Sequence, residues 1–336
     1  VKNEAFKEFT RKMDHLGTLK IPFVFIIDYE QRKPLLWELN EGHSGAFKFN
    51  LNGFTNDHER IIPLQTEDFY FRKFPVSFEA YKERFQKIVS RIKAGDSFLV
   101  NFSQPTPVET NLSLETIYEQ SRAPYRFYLK DDFVCFSPEI FVSIRGNRIS
   151  SFPMKGTIDA LIPDAAKIIL EDPKEKAEHA TIVDLIRNDL SRVSQKVWVE
   201  KYRYLDKIET HEKVLLQVSS EISGIIDGHL DRRYGSILSN LLPAGSICGA
   251  PKPSTLQIIC ESENYERGYY TGIMGYYDGK ETFNSAVMIR YIEQDGQGKK
   301  TFKSGGGITA SSNAESEYQE MIDKVYLPIL KKAVPE

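Results

Sequence analysis

Between residues 97 and 157 the chain carries five short apolar and aromatic runs, at 97–102, 125–129, 133–136, 140–144 and 148–152, with one helical pattern among them at 114–120. Runs of this length and composition read as strands. Helical patterns gather elsewhere, at 164–192, 230–242 and 254–262, and further strand patterns fall at 197–205, 213–226, 268–277, 282–292 and 300–304. A doubly wound parallel sheet needs strands and helices in regular alternation, and blocks of each instead predict an α+β fold.

The flanks fit the same picture. Phe6, Phe9, Met13 and Leu16 share a helical spacing that stops at Gly17. Residues 21–29 read as a buried strand, and Arg32-Lys33-Pro34 turns the chain into a second one through Leu36 and Trp37. Residues 40–74 are irregular, with short edge strands expected. Phe78, Tyr81, Phe85, Ile88 and Ile92 line a helix that ends at Gly95. Pro173 is a candidate break in the region 164–192, and a last helix is expected over 313–332, with Ser312 and Glu315 as a capping box. No linker or repeat divides the chain. It is expected to form effectively one structural domain, a core over 78–332 to which residues 1–77 add strands.

Lys and Arg number 44 against 47 Asp and Glu, a net charge of −3. That balance argues against nucleic acid as a partner. No apolar run approaches the roughly 20 residues a membrane span needs, and the amino terminus has no signal-peptide core. Cys135, Cys248 and Cys260 lie far apart, without metal-ligand spacing. A cytoplasmic protein is expected.

Four segments carry chemistry. Lys155, in Pro153-Met154-Lys155-Gly156-Thr157, stands between apolar residues and glycine at the end of a predicted strand. Loss of water there favours the neutral amine, a nucleophile or base, although a turn lysine facing water is the commoner case. Glu139, in Ser137-Pro138-Glu139 between two apolar strands, is a candidate general acid; the ordinary alternative is a hairpin carboxylate. Glu175 and Glu178 share one helix face, and Glu317 and Glu320 another. Two such faces turned together would suit Mg²⁺, which takes few protein carboxylates and keeps several waters; separately, each is a solvated charged face. The polar segment 184–190 is expected to bond within the fold. The loops at 243–252 and 304–308 hold glycines whose N–H groups can approach an anion. Neither matches a Walker A or GxGxxG pattern, so a carboxylate suits them better than a nucleotide. Arg290, ending an apolar strand, could clamp that carboxylate.

At these segments the chain resembles the chorismate-utilising enzymes: the component I chains of anthranilate and aminodeoxychorismate synthase, and the isochorismate and salicylate synthases. The likeness covers roughly residues 78–332, through the segments at Glu139, Lys155, 178–190, 245–252, 272–276, Arg290 and 305–324. The resemblance implies a large two-sheet β-core with helices packed outside, an active site between the sheets, and Mg²⁺ holding the ring carboxylate of chorismate. Lys at position 155, where anthranilate synthases usually carry Ala, is similar to the aminodeoxychorismate synthases. There it would attack carbon 2 of chorismate, and ammonia from a glutamine amidotransferase subunit would then enter at carbon 4, for 4-aminobenzoate and folate synthesis. The same resemblance makes Glu139 the acid and Glu178 and Glu320 the metal ligands, supported by Glu175 and Glu317. Arg290, Gly305, Gly306, Gly307, Lys324, Thr157 and Ser246 become substrate contacts. Two positions depart from the pattern. Leu99 stands where isochorismate and salicylate synthases use Lys to activate water, and Gln217 aligns with a His of the relatives. The alternatives are an anthranilate synthase component I and a catalytically silent chorismate-binding homologue.

Overall fold

A computed structural model of the chain describes residues 3–39, 45–57, 69–209 and 214–329. The chain opens with α1 (Glu4–Thr18), β1 (Phe23–Ile27), β2 (Leu35–Glu38), β3 (Phe47–Leu51), β4 (Phe54–Thr55) and β5 (Phe71–Lys73). There follow α2 (Phe78–Lys93), β6 (Leu99–Thr110), α3 (Leu114–Gln120), β7 (Tyr125–Leu129), β8 (Phe133–Ser137), β9 (Ile140–Arg145), β10 (Arg148–Ser151) and β11 (Met154–Asp159). Next come α4 (Ala165–Glu171), α5 (Pro173–Leu190), β12 (Ser194–Glu209), β13 (Val214–Ile226), α6 (Tyr234–Leu241), β14 (Gly249–Ala250) and α7 (Lys252–Ser262). The last are β15 (Ile273–Tyr277), β16 (Thr282–Val287), β17 (Tyr291–Gln294), β18 (Lys300–Ile308) and α8 (Ala314–Asp323).

The strands form two antiparallel sheets. One runs β11-β13-β10-β9-β16-β15-β1-β2, with β12 also on β13, and the other runs β14-β6-β18-β17-β8-β7-β3-β4, with β5 also on β6. The mixed two-sheet α+β architecture is the one expected. β1 shows how the layers are built. All five of its residues are buried, as a strand covered on both faces requires. Phe23, Phe25 and Ile27 pack with the helical residues Phe9, Met13 and Tyr234. Val24 and Ile26 point the other way, into an aromatic layer with Phe47, Phe127, Phe133 and Tyr291 of the second sheet. On that sheet's far face, Val134, Phe136 and Phe302 pack against Leu114, Ile117 and Tyr118 of α3.

Several elements depart from expectation for identifiable reasons. The strand read over 282–292 is two strands in different sheets, β16 and β17, because the chain crosses between layers at 288–290. The 148–152 pattern ends at Ser151, and Lys155 and Thr157 belong to a separate strand, β11. Gly17 does not end α1. A Cβ there would come within 2.2 Å of the Arg232 carbonyl oxygen, so the glycine serves a close approach to the 232–234 segment. The α8 cap is Asn313, which accepts from the Ser316 amide, while Ser312 instead donates to Glu317 at 2.8 Å. That helix stops at Asp323, with Lys324 as its C-cap; the end read at 332 lies outside the described residues. Pro173 does divide the region 164–192, as the first residue of α5 behind the Asp172 cap.

Candidate active site

The two sheets exchange strands at two neighbouring places. β8 of one sheet passes to β9 of the other across Ser137-Pro138-Glu139, and β16 passes to β17 across Met288-Ile289-Arg290. Proline cannot donate to a ladder, which helps end β8, and the Glu139 amide donates instead to Ser137 Oγ at 3.1 Å. Arg290 takes the left-handed conformation, with φ of +56°. The crossings are tied side by side, the Phe136 amide donating to the Arg290 carbonyl at 3.1 Å and the Val287 amide to the Glu139 carbonyl at 3.0 Å. Glu139 and Arg290 thus reach one place from segments about 150 residues apart.

That place is a cavity of about 150 Å³, lined by Glu139, Lys155, Ser246, Arg290, Gly305, Gly306, Gly307, Glu320 and Lys324, with Asn101, Tyr270 and Lys303. Lys155 reaches it through a bulge in β11, where the pairing with β13 shifts between Lys155 and Thr157. A bulge re-aims the side chains beside it. Gly156 supplies the positive φ, +77°, and a Cβ on it would lie 2.7 Å from Glu175 Oε2. A Cβ placed on Gly307 would lie 3.4 Å from Lys155 Nζ and 3.0 Å from Leu99 Cδ1, so ammonium and apolar group stand over the same spot.

Gly305, Gly306 and Gly307 are not the open anion-binding loop expected of them. They close β18, paired with Ser103, Phe102 and Asn101 of β6. Their part is to leave space: a Cβ on Gly305 would come within 2.2 Å of the Phe102 carbonyl oxygen, and one on Gly306 within 3.4 Å of Glu317 Oε2 and 3.7 Å of Lys324 Nζ. The other expected loop, 243–252, contains β14, and its Lys252 is buried against Asp189 at 2.6 Å. That pair is the internal bonding expected of the 184–190 segment.

Burial pushes the Glu139 carboxyl above the usual carboxylate range, against the pull of the Ser246 hydroxyl, which donates to Oε1 at 2.5 Å, and of the Lys155, Arg290 and Lys324 cations. Burial lowers the Lys324 ammonium, opposed by Glu320 Oε1 at 2.6 Å, and Lys324 also donates to the Gly305 carbonyl at 2.7 Å. The Arg290 guanidinium lies over the Tyr326 ring, 5.6 Å from its centroid. Arg290, Glu320 and Lys324 also border a wider cleft of about 920 Å³ that opens beside the cavity. Thr157 is exposed and lines that cleft, not the cavity.

The carboxylate pairs divide. Glu320 lines the cavity, and Glu317 approaches it at Gly306. Glu175 and Glu178 are half-buried on α5, and neither is in the cavity lining. Among the described residues, no group of three His, Cys, Asp or Glu side chains is disposed to hold a metal ion. Glu317 and Glu320, separated by one helical turn near Gly306, meet the smaller demand of Mg²⁺ for one or two protein carboxylates completed by water and substrate oxygens.

Sequence reasoning missed two groups. His179 is 1% exposed, its Nε2 is 2.7 Å from Ser220 Oγ, and burial with the Arg203 and Lys155 charges brings its pKa down to about 4. Its place directly after Glu178, on a helix face turned to the sheet, was the available signal. Arg267 is buried against Glu263 by two 2.7 Å bonds and donates to the Ile247 and Asn101 carbonyls at 2.9 and 2.8 Å. It fixes two segments of the cavity wall from behind.

The family model for chorismate binding enzymes matches residues 23–329. This chain belongs to the chorismate-binding enzyme family. An uncharacterized PabA-like protein of Haemophilus influenzae is 47% identical over 97% of this chain and 98% of its own. Aminodeoxychorismate synthase component 1 of Bacillus subtilis is 33% identical over 75% of this chain, and an anthranilate synthase component 1 of Haloarcula marismortui is 34% identical over 78%. This chain spans about half of each of those two, 55% of their length. Among solved structures, anthranilate synthase component I of Streptococcus pneumoniae superposes with a TM-score of 0.66 at 27% identity, covering 80% of this chain and 60% of that one. MenF, the menaquinone-specific isochorismate synthase of Escherichia coli, shares the fold, with a TM-score of 0.73 at 16% identity over 95% of this chain and 80% of its own. No helix among the described residues is long and apolar enough to cross a membrane.

Proposed function

We propose that this chain is an aminodeoxychorismate synthase component I, which converts chorismate and ammonia to 4-amino-4-deoxychorismate for 4-aminobenzoate and folate synthesis. The ammonia would come from a separate glutamine amidotransferase subunit. The observation that carries the reading is the convergence of Lys155 and Glu139 on one cavity, with Arg290 and Lys324 beside them. Relatives named for this reaction and for anthranilate synthesis match about equally well, so the choice between them rests on Lys155.

Each group has a task its surroundings support. Glu139, whose protonated form burial favours, gives its proton to the 4-hydroxyl of chorismate, which leaves as water. The Lys155 amine forms a bond to carbon 2 as the ring double bond shifts and the bond from carbon 4 to oxygen breaks. Ammonia then bonds to carbon 4, the double bond shifts back, and the bond from carbon 2 to Lys155 breaks, freeing the amine. The proton lost by the new ammonium group returns to the Glu139 carboxylate. Arg290 and Lys324 hold substrate carboxylates, Ser246 orients the acid, and the bare backbone of Gly305, Gly306 and Gly307 makes room for the ring. The apolar side chain of Leu99, near Lys155 Nζ, cannot itself activate water. Glu320, which lines the cavity, and Glu317 beside it at Gly306 would hold Mg²⁺, which when bound neutralises the ring carboxylate of chorismate, whereas Glu178 and Glu175 stand outside that lining.

The test is product analysis by mass after incubation with chorismate, Mg²⁺ and ammonium. The expected product is 4-amino-4-deoxychorismate, with 4-aminobenzoate appearing only when a lyase is added. Anthranilate formed directly would assign the chain to the alternative synthase. No turnover by protein that binds chorismate would make it a silent homologue.

A further inference from the structure

Glu139 also lines a second space, one whose lining does not include Lys155. This chamber, of about 20 Å³, has mainly apolar walls, among them Val142, Ile186 and Leu241, and its polar members are Glu139, Ser246, Ser151 and Asp189. Ser151 Oγ is committed to the Phe141 carbonyl at 2.8 Å. Asp189, in the last turn of α5, is 7% exposed, and its Oδ2 receives the Lys252 ammonium at 2.6 Å. Its Oδ1 is buried with no hydrogen-bond partner among the described residues.

We propose that the chamber holds one ordered water, hydrogen-bonded to Asp189 Oδ1 and to the Glu139 carboxyl, which makes Asp189 a positioning residue for the acid. The inference rests on the reading of Glu139 as the proton donor. The space is sufficient, since a buried water needs roughly 10–15 Å³ measured this way. So are the partners: two carboxyl groups and the Ser246 hydroxyl reach the required two to four. An apolar chamber would stay dry, but this one contains a charged oxygen with an unused lone pair, costly to leave unsatisfied.

The water can serve both states of the acid. It donates one O–H to Asp189 Oδ1. Its oxygen can accept from a protonated Glu139, and its second O–H can donate to the carboxylate left after proton transfer. The charges around Glu139 then oppose one another. Lys155 from β11, Arg290 from the crossing before β17 and Lys324 following α8 favour the carboxylate, and Ser246 does so by hydrogen bonding. Tyr270 also faces the group. Burial raises the Asp189 carboxyl against the pull of Lys252 and, at longer range, Arg192, and in its ionised form, across the proposed water, Asp189 disfavours ionisation of Glu139.

Two measurements on the full chain test this, neither using substrate, so the bridge stands or falls apart from the reaction. A high-resolution crystal structure is expected to show a water within hydrogen-bond distance of both Asp189 Oδ1 and a Glu139 oxygen. A dry chamber, or a water touching only one of the two, overturns the proposal. In protein carrying ¹³C-labelled glutamate, with the Glu139 signal identified by its loss in Glu139→Gln, Asp189→Asn is expected to move the Glu139 titration to lower pH. A folded Asp189→Asn variant with the titration unmoved overturns it as well. If that variant does not fold, the crystal structure of the unchanged chain decides.

Discussion

Replacing Arg267 by methionine removes the guanidinium that joins two segments of the cavity wall, at Asn101 and Ile247, to Glu263. In the intact chain its two bonds to Glu263 are each 2.7 Å, its bonds to the Ile247 and Asn101 carbonyls 2.9 and 2.8 Å, and its plane lies 4.6 Å from the Tyr29 ring centroid. Methionine fills much of the volume but leaves Glu263 buried with, among the described residues, the Ser103 amide and hydroxyl as its remaining donors, at 2.7 and 2.8 Å. Stranding one partner of a buried pair costs about 3–5 kcal/mol. The abandoned carbonyls add roughly 1 kcal/mol more, since each can find partial substitutes. A loss of about 4–6 kcal/mol follows, a large share of the 5–15 kcal/mol typical of whole domains. The double variant Arg267→Met/Glu263→Gln removes the stranded charge and should recover about 2 kcal/mol or more, a coupling of the size expected for contacting residues. Urea unfolding of the four proteins of this cycle is the assay. Effects that add to within about 0.5 kcal/mol, or a single-variant cost below about 1 kcal/mol, would refute the hub. Because Asn101, Ser246 and Ile247 line the cavity, the folded fraction of Arg267→Met should also bind chorismate more weakly.

Lys155→Ala is expected to lose at least about 10³-fold in aminodeoxychorismate formation, read by product mass; activity within a few-fold of the unchanged chain would remove the lysine from the reaction. The acid Glu139 must carry its proton, and its pKa is raised by burial, so activity should fall as pH rises through that raised value. Glu139→Gln should abolish that alkaline limb along with most of the rate, checked by kcat/KM against pH. His179 has the opposite sign. Its pKa, lowered to about 4 from 6.5, means the unfolded chain binds a proton that the folded chain refuses. Its contribution is therefore present above pH 6.5 and lost as pH falls toward 4, by about 3 kcal/mol. Urea midpoints at the two ends of that window should differ less in His179→Gln. Chelation by EDTA should stop turnover, with recovery on adding Mg²⁺, and Glu320→Gln should raise the Mg²⁺ concentration needed for half-maximal activity.

The α+β class and most helices were legible because their apolar spacing is local. The packing of Phe6, Phe9, Met13 and Leu16, and the start of α5 at Pro173, need nothing beyond neighbouring residues. Lys155, Glu139 and Arg290 were legible as candidates by the residue types around them and Ser246 through the family resemblance, and the cavity brings them together. What local pattern could not carry was the crossing between sheets. Residues 282–292 read as one strand, yet the chain changes layer at 288–290, and only the register of β9, β16, β8 and β17 reveals it. Gly305, Gly306 and Gly307 looked like a loop because glycine is poor in strands, but the strand tolerates them where Phe102 and Glu317 come close. No local pattern marks Arg267 and Glu263 as buried, because the Arg267 site is completed by carbonyls about 20 and 166 residues away in the chain.

The mass of the protein itself tests the central claim most directly. After incubation with chorismate and Mg²⁺ and no ammonia source, the peptide containing Lys155 is expected to gain the mass of chorismate less one water, and to lose it when ammonium is added and product appears. Product formed with Lys155 never modified, or the same mass gain on the Lys155→Ala protein, would contradict the account.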